Sequence, residues 1–382
     1  MSTAAIPFNR PPLKGRELEY MKQALESRHL AGDGPFTKKC HAWLEQNLKT
    51  PAALLTHSCT AALEMSMILA DLKPGDEVIM PSFTFVSTAN AVALRGAVPV
   101  FIDIRPDTLN MDEKLIEAAI TPRTRAIMVV HYAGVSAEMD TILALAARHS
   151  LHVCEDAAQG LMASYKGRAL GTIGSLGCLS FHETKNIVSG EGGALLINDP
   201  ALKLRAEIIR EKGTNRSQFF RGQVDKYTWV DIGSSFLPSE ILAAMLLAQF
   251  EASGEITSER LAVWNRYHAA FAGLEASGRV RRPVVPAECE HNGHLYYLIA
   301  ASLDERTRML AFLRERGVAS VFHYVPLHTA PAGVKYGRVS GSSLPLTDSL
   351  SERLFRLPLW SGLASADIDR VVAAVHEFYS KN

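Results

Sequence analysis

The sequence has few cysteines, no excess of either charge and no long apolar run. Its five cysteines are scattered, odd in number and form no Cys-x-x-Cys pair, which argues against a disulfide framework and a structural zinc site. Lys plus Arg and Asp plus Glu each number 40, so no chain-wide field favours nucleic acid or anionic lipid. The longest apolar run, residues 241–248, is far below the roughly 20 residues of a membrane span.

Other recognisable segments are missing as well. Residues 1–15 contain three prolines and no apolar signal segment, so we expect a cytoplasmic protein that binds neither nucleic acid nor a membrane. The sequence has no G-x-G-x-x-G after its first predicted strand, no G-x-x-x-x-G-K-[ST] and no G-x-S-x-G. These absences argue against a dinucleotide-dependent dehydrogenase, a P-loop NTPase and an α/β-hydrolase.

Short apolar, β-branched runs recur between helical stretches. They predict seven strands, at residues 52–55, 77–80, 99–104, 126–131, 151–154, 177–182 and 194–198. The alternation predicts an α/β fold in which a mainly parallel seven-stranded sheet lies between helices and binds ligands beyond the carboxyl ends of its strands. Residues 183–193 are too few for a crossover helix, so we expect one antiparallel strand.

The pattern changes after residue 238, where a long helical stretch precedes two prolines within residues 281–286. We therefore predict a large domain and a smaller α+β domain. The large domain covers residues 1–250, with an N-terminal arm at 1–14, and the small domain covers 251–382. In the small domain we predict strands at 295–302 and 319–324, and helices at 305–316 and 365–379.

Polar residues follow three of the predicted strands. Ser58 and Thr60 begin a predicted helix, where hydroxyl side chains either cap the helix or help its free N–H groups to hold a phosphate. Asp156 ends the fifth strand, where a lone acid is often only a helix cap. Lys185 lies in the loop after the sixth strand, where a lysine is usually solvated.

Together these residues match the requirements of pyridoxal 5′-phosphate (PLP). A lysine forms a Schiff base with the cofactor, and an acid keeps the pyridine nitrogen protonated so that the ring accepts electrons. A helix N-terminus suits the phosphate. The combination predicts a PLP enzyme with Lys185 and Asp156 as catalytic residues.

Four motifs, at residues 58–61, 155–159, 180–185 and 190–193, resemble the DegT-type nucleotide-sugar aminotransferases of PLP fold type I. The resemblance extends from residue 6 to residue 328 and implies an aminotransferase that cycles between PLP and its amino form, PMP. Phe85 would stack on the cofactor ring, with core packing as the alternative. Ser235 stands where many relatives have an Asn that reaches the neighbouring subunit's cofactor. The implied cofactor contacts are Ser58, Thr60, Ala61, Phe85, Asp156, Gln159, Ser180, Lys185 and Ser235.

The resemblance also implies substrates and an assembly. L-Glutamate would give the amino group and leave as 2-oxoglutarate, and a homodimer would share its active sites. The runs at 32–37 and 212–223 are similar to members that aminate C4 of dTDP-4-keto-6-deoxy-D-glucose. The basic loop at 211–231 would hold the diphosphate, with a solvated loop as the alternative. The expected substrate contacts are His182, Lys212, Arg216, Arg221, His323, Tyr324 and His328.

Two other functions stay open at this point. One is a non-catalytic sensor that keeps the fold and binds cofactor or sugar nucleotide. The other is a different sugar aminotransferase, such as one that acts on a 3-keto sugar. The histidines at 131, 182, 323 and 328 lack metal-ligand spacing on a helix, so we expect no metal site.

Overall fold

The computed structural model describes residues 4–381. The α-helices are α1 (Glu17–Ser27), α2 (Pro35–Leu48), α3 (Cys59–Leu69), α4 (Val86–Ala93), α5 (Ile116–Ala119), α6 (Met139–His149), α7 (Lys203–Arg210), α8 (Arg216–Phe220), α9 (Glu240–Glu251), α10 (Ser253–Ala270), α11 (Ala272–Ala276), α12 (Leu303–Glu315), α13 (Pro331–Tyr336), α14 (Pro345–Arg353) and α15 (Ser365–Lys381). The strands are β1 (Ala52–Thr56), β2 (Glu77–Pro81), β3 (Val98–Ile102), β4 (Thr124–Val130), β5 (His152–Asp156), β6 (Ser164–Tyr165), β7 (Arg168–Ala169), β8 (Leu176–Ser180), β9 (Gly193–Ile197), β10 (Cys289–Glu290), β11 (Tyr296–Ile299), β12 (Arg338–Val339) and β13 (Leu354–Leu357).

The central sheet has the strand order β1-β9-β8-β5-β4-β2-β3-β12. All seven predicted strands are in it, and the mainly parallel α/β fold is confirmed. Strand β9 is antiparallel to both β1 and β8, while the other neighbours run parallel. The two-residue edge strand β12, which pairs Arg338 with Val100, was not predicted, because so short a strand has no alternating pattern.

Strand β4 shows how the sheet separates two hydrophobic cores. Ile127 and Val129 point into a core formed with α1, α2, α6 and α9. Ala126 and Met128 point into the opposite core, formed with α3, α4 and α7. This alternation follows from the two-residue period of a strand, and burial on both faces explains why its sequence is continuously apolar.

A third core lies between the β11–β13 pair and the helices α10, α12 and α15. Ile6 joins this core, and its backbone bonds to residues 317 and 319. The helices expected at 305–316 and 365–379 are present. The strand predicted at 319–324 was wrong, since only Val321 forms a bridge there, to Arg356. The Phe322 carbonyl instead accepts bonds from the Arg356 side chain, which replace a ladder bond.

The domain boundary at residue 250 stays a prediction. Residue 250 is the penultimate residue of α9, and Ala252 alone separates α9 from α10. Within residues 4–381, no helix combines the length and apolar character needed to cross a membrane.

Candidate active site

A cavity of about 660 Å³ opens at the carboxyl ends of three neighbouring parallel strands. Val130, Asp156 and Ser180 line it, and they are the last residues of β4, β5 and β8. Leu357 and Leu359 of the third core line the cavity as well, together with His323 and Arg356. The position is the one that parallel α/β sheets use for ligands.

The N-terminus of helix α3 forms one end of the cavity. The Ser58 hydroxyl caps it by accepting a bond from the Ala61 N–H at 3.1 Å, and the hydroxyls of Thr60 and Ser87 lie 2.8 Å apart. A Cβ on Gly193 would lie only 2.4 Å from the Cys59 nitrogen, so glycine permits this turn to pack against β9. The helix dipole and first-turn N–H groups make this end suitable for a phosphate.

Asp156 is the acid at the depth of the cavity. Its carboxylate accepts bonds from the Thr88 hydroxyl at 2.7 Å and the Ala158 N–H at 3.2 Å. Burial raises the pKa of Asp156, while the Thr88 bond and the nearby Lys185 charge lower it. Sequence reasoning missed Thr88, although the run of hydroxyl residues after β2 was a possible signal.

The neighbouring acid, Glu155, has a different task. Its carboxylate accepts bonds from the backbone N–H groups of Gly171 at 2.8 Å and of Ile173 and Gly174 at 2.6 Å each. His131 lies 2.8 Å from the same carboxylate, and both side chains are fully buried. Adjacent strand residues point to opposite faces, so Glu155 holds the loop before β8 while Asp156 faces the cavity.

Lys185 reaches the cavity from the turn after β8. Its N–H donates to the His182 carbonyl at 2.9 Å, and the strand-like pairing of His182 with Gly190 closes the turn. Desolvation by the cavity walls lowers the pKa of Lys185, and the Asp156 charge opposes that effect. A lowered pKa leaves more of the amine neutral, which is the form that acts as a nucleophile.

Aromatic and amide side chains complete the wall opposite the sheet. Gln159 accepts a bond from the Ala133 N–H at 2.7 Å and donates to the Tyr324 hydroxyl at 2.8 Å. The His323 ring stacks on Tyr324 with centroids 3.7 Å apart, and its Nδ1 lies 2.7 Å from the Tyr132 hydroxyl. Phe85 lies at the rim, where 56% of it is exposed.

The cavity brings together ten of the residues that the sequence singled out: Ser58, Thr60, Phe85, Asp156, Gln159, Ser180, His182, Lys185, His323 and Tyr324. His182 is held by Thr184, whose hydroxyl lies 2.9 Å from its Nδ1. The contacts of these side chains with cofactor and substrate stay predictions.

The other predicted residues lie elsewhere in the single chain. Ala61 is buried beneath the turn, and His328 lies 2.8 Å from the Ser82 hydroxyl. Ser235 pairs with Glu211, outside the cavity. Lys212 and Arg216 each lie 3.6 Å from the Glu211 carboxylate, and Arg221 lies 2.8 Å from that of Glu207. The predicted roles of Ser235, Lys212, Arg216 and Arg221 would therefore need either rearrangement or a neighbouring subunit.

Three basic cavity residues were not predicted: Arg260, His294 and Arg356. Arg356 lies within the apolar run 354–359. The sequence alone does not show whether such an arginine contacts a ligand or is exposed to solvent. Among the residues that the structure describes, no group of three or more His, Cys, Asp or Glu side chains could hold a metal ion.

These residues fit PLP. The cavity encloses one lysine, places one buried acid at its depth and ends on a helix N-terminus lined by hydroxyls. Lys185, Asp156 and the turn at Ser58 would therefore hold its carbonyl carbon, ring nitrogen and phosphate. Bound there, PLP supplies an electron sink for cleavage of a bond next to an amine.

Comparisons with known proteins support PLP as the cofactor. Residues 11–376 match the model of the DegT/DnrJ/EryC1/StrS aminotransferase family. The chain is 32% identical to the spore coat polysaccharide biosynthesis protein SpsC of Bacillus subtilis, covering 97% of this chain and 96% of that protein. The aminotransferase TlmJ from Streptoalloteichus hindustanus superposes with a TM-score of 0.90 at 31% identity, covering 98% and 99% of the two chains.

A putative sugar aminotransferase from Streptococcus pneumoniae, Spr1654, is 27% identical and has been solved in PLP and PMP forms. Its PMP form superposes with a TM-score of 0.90, and the match covers 99% of this chain and 98% of that one. The likeness thus extends to a protein that has been solved with both forms of the predicted cofactor.

Replacement of Lys185 by alanine should lower turnover by at least about 10²-fold, since both the cofactor attachment and the proton carrier are lost. Borohydride reduction of the wild-type enzyme followed by peptide mapping should place the pyridoxyl group on Lys185. Lys166, which pairs with Asp140 outside the cavity, is the matched control for replacement. A pyridoxyl group on another lysine would contradict the assignment.

Asp156→Asn should lower activity, whereas Glu155→Gln should lower stability. An amide at 156 cannot stabilise a charged ring nitrogen, so kcat/KM should fall about 10- to 1000-fold with little change in melting temperature. An amide at 155 loses part of a buried hydrogen-bond set and should lower the unfolding free energy by about 1–3 kcal/mol. Kinetics and thermal unfolding measured on both variants check this, and near-normal turnover of Asp156→Asn would assign the role elsewhere.

Proposed function

The chain belongs to the DegT/DnrJ/EryC1/StrS aminotransferase family, and on that premise we propose that it transfers the amino group of L-glutamate to C4 of dTDP-4-keto-6-deoxy-D-glucose. It is a PLP-dependent sugar aminotransferase, which removes the alternative of a non-catalytic sensor. The proposed product is dTDP-4-amino-4,6-dideoxy-D-galactose, made in the cytoplasm for a surface polysaccharide of the enterobacterial common antigen type.

The observation that carries the proposal is the placement of Lys185 and Asp156 in one cavity at the ends of neighbouring strands. Burial lowers the pKa of Lys185, whose Nζ atom can hold or release a proton. Asp156 supplies the negative charge that favours a protonated ring nitrogen. The same two side chains serve both half-reactions, with L-glutamate and with the sugar.

The substrate choice rests on the resemblance of the runs at 32–37 and 212–223 and on the chemistry of the cavity wall. His182, His323 and Tyr324 offer ring nitrogens and a hydroxyl to sugar hydroxyl groups. Burial lowers the pKa of His323 well below its usual value, so the ring is neutral and suited to an uncharged sugar. The name of the Bacillus subtilis relative agrees with a polysaccharide pathway.

We also propose a homodimer that shares its active sites. Aromatic and aliphatic side chains are exposed at the end of α8 and along the loop after it, with Phe220 70% and Trp229 75% accessible. Phe85 and Val86 are exposed at the cavity rim. A surface of this kind is typical of an interface, and a second copy would bring Lys212, Arg216 and Arg221 to its neighbour's site, where they could bind the diphosphate.

The 4-keto sugar should be turned over with L-glutamate at least about tenfold better in kcat/KM than its 3-keto isomer, a margin of about 1.4 kcal/mol. Side-by-side assays with product analysis by mass spectrometry and NMR measure this. A preference for the 3-keto isomer, or an equatorial amine at C4, would leave the family correct and the proposed substrate wrong.

Site sharing predicts complementation between two inactive proteins. Lys185→Ala and Arg216→Ala/Arg221→Ala chains, refolded together, should regain up to about a quarter of wild-type activity, because half of the dimers are mixed and each has one intact site. Lys185→Ala mixed with Asp156→Asn is the control, since both residues face the cavity of their own chain and no activity should return. Mixed dimers of the first pair without activity would contradict sharing.

A further inference from the structure

The charge of Asp156 depends on the groups that donate hydrogen bonds to its buried carboxylate. The Oδ2 atom accepts a bond from the Thr88 hydroxyl at 2.7 Å, and the Oδ1 atom accepts one from the Ala158 N–H at 3.2 Å. Burial raises the pKa of Asp156 because desolvation disfavours the charged form, and the Thr88 bond is foremost among the contacts that lower it. Thr88 therefore opposes the effect that would neutralise the acid.

The Thr88 hydroxyl is bonded in turn to the hydroxyl of Thr84. The two oxygen atoms lie 2.8 Å apart, and both side chains are buried. A threonine hydroxyl has a single proton, and an ionised carboxylate can only accept. Thr88 therefore donates its proton to Asp156 and accepts the proton of Thr84. The two hydroxyls form a chain with one direction, in which each bond polarises and strengthens the next.

The first turn of helix α4 connects this chain with the other end of the cavity. Thr88 is the third residue of α4, and the preceding residue, Ser87, has its hydroxyl 2.8 Å from that of Thr60 at the N-terminus of α3. Thr84 lines the cavity two residues before α4 begins. One helical turn therefore holds both the acid at the depth of the cavity and the hydroxyls at its phosphate end.

We propose that Thr88 is a positioning residue which, together with Thr84, keeps Asp156 ionised and in place to face the ring nitrogen of PLP. Each carboxylate oxygen accepts one bond from the protein, so the orientation of the group is fixed while acceptor capacity remains for the ring. The inference rests on the assignment of Asp156 to the ring nitrogen. It concerns the cofactor and goes beyond the proposed function, because it holds for any sugar substrate.

Calorimetric titration of the full-length apoenzyme with PMP and with 1-deaza-PMP, in which a C–H group replaces the ring nitrogen, tests the proposal. Neither compound has an aldehyde, so neither forms a Schiff base with Lys185, and the two affinities differ only through the ring position. Thr88→Val removes the hydroxyl at similar shape and should weaken PMP binding at least about fivefold, because the acid loses a donor to its charged form. Binding of the deaza compound should be unchanged or stronger.

Conservative and remote replacements are the controls. Thr88→Ser keeps the hydroxyl and should return PMP affinity to within about twofold of the wild type. Thr257→Val is the matched control, since the Thr257 hydroxyl donates to the Ser253 carbonyl at 2.8 Å within α10, outside the cavity. Thr84→Val should act in the same direction as Thr88→Val but less strongly. Because Thr84 acts through Thr88, the double variant should bind PMP no more weakly than Thr88→Val.

Equal weakening of both compounds by Thr88→Val would show a structural role alone, and unchanged PMP binding would show none; either result overturns the proposal. Asp156→Asn should abolish the preference for PMP over the deaza compound. If Asp156→Asn loses that preference and Thr88→Val keeps it, the acid is assigned correctly and the role of Thr88 is wrong. A preference kept by Asp156→Asn would overturn both. These titrations contain no sugar, so failure of the proposed sugar substrate would leave their result unaffected.

Discussion

The active site depends on the two carboxylates that end strand β5. Glu155 and Asp156 are adjacent in sequence and point to opposite faces of the sheet. Asp156 therefore faces the cavity, while Glu155 bonds to the loop before β8. Glu155 uses its charge on three backbone N–H groups and His131, which fixes the loop leading into β8. The turn that carries Lys185 follows β8. The position of Lys185 therefore depends on Glu155, the sequence neighbour of Asp156.

Much of this arrangement follows from the sequence. Seven buried strands were predictable because their runs are apolar on both faces. Asp156 and Lys185 were predictable because Asp156 ends one such strand and Lys185 lies in the loop after the next. Residues 319–324 were wrongly predicted to form a strand. Their aromatic side chains, Phe322, His323 and Tyr324, line the cavity and do not belong to a sheet. The sequence did not indicate that Arg260 and Arg356 line the cavity, because whether an arginine has an acidic partner is decided by the fold.

Some of the motifs that resemble the family serve structure more directly than chemistry. The run at 32–37 begins helix α2, and the Glu240 carboxylate accepts bonds from the N–H groups of Gly34, Phe36 and Thr37 at 3.1, 2.7 and 3.0 Å. A Cβ on Gly34 would lie 2.5 Å from that carboxyl carbon. The glycine is therefore required for the close packing of the start of α2 against Glu240.

Charge distribution connects the site to the whole chain. The sequence has equal numbers of acidic and basic residues. The cavity, however, is lined by one buried acid, Asp156, and by three basic side chains, Lys185, Arg260 and Arg356. Because no chain-wide field attracts anions, affinity for them must come from these local, poorly solvated cations. Desolvation strengthens each interaction and also lowers the pKa of Lys185. The same burial that makes the arginines costly without a ligand thus prepares Lys185 to act as a nucleophile.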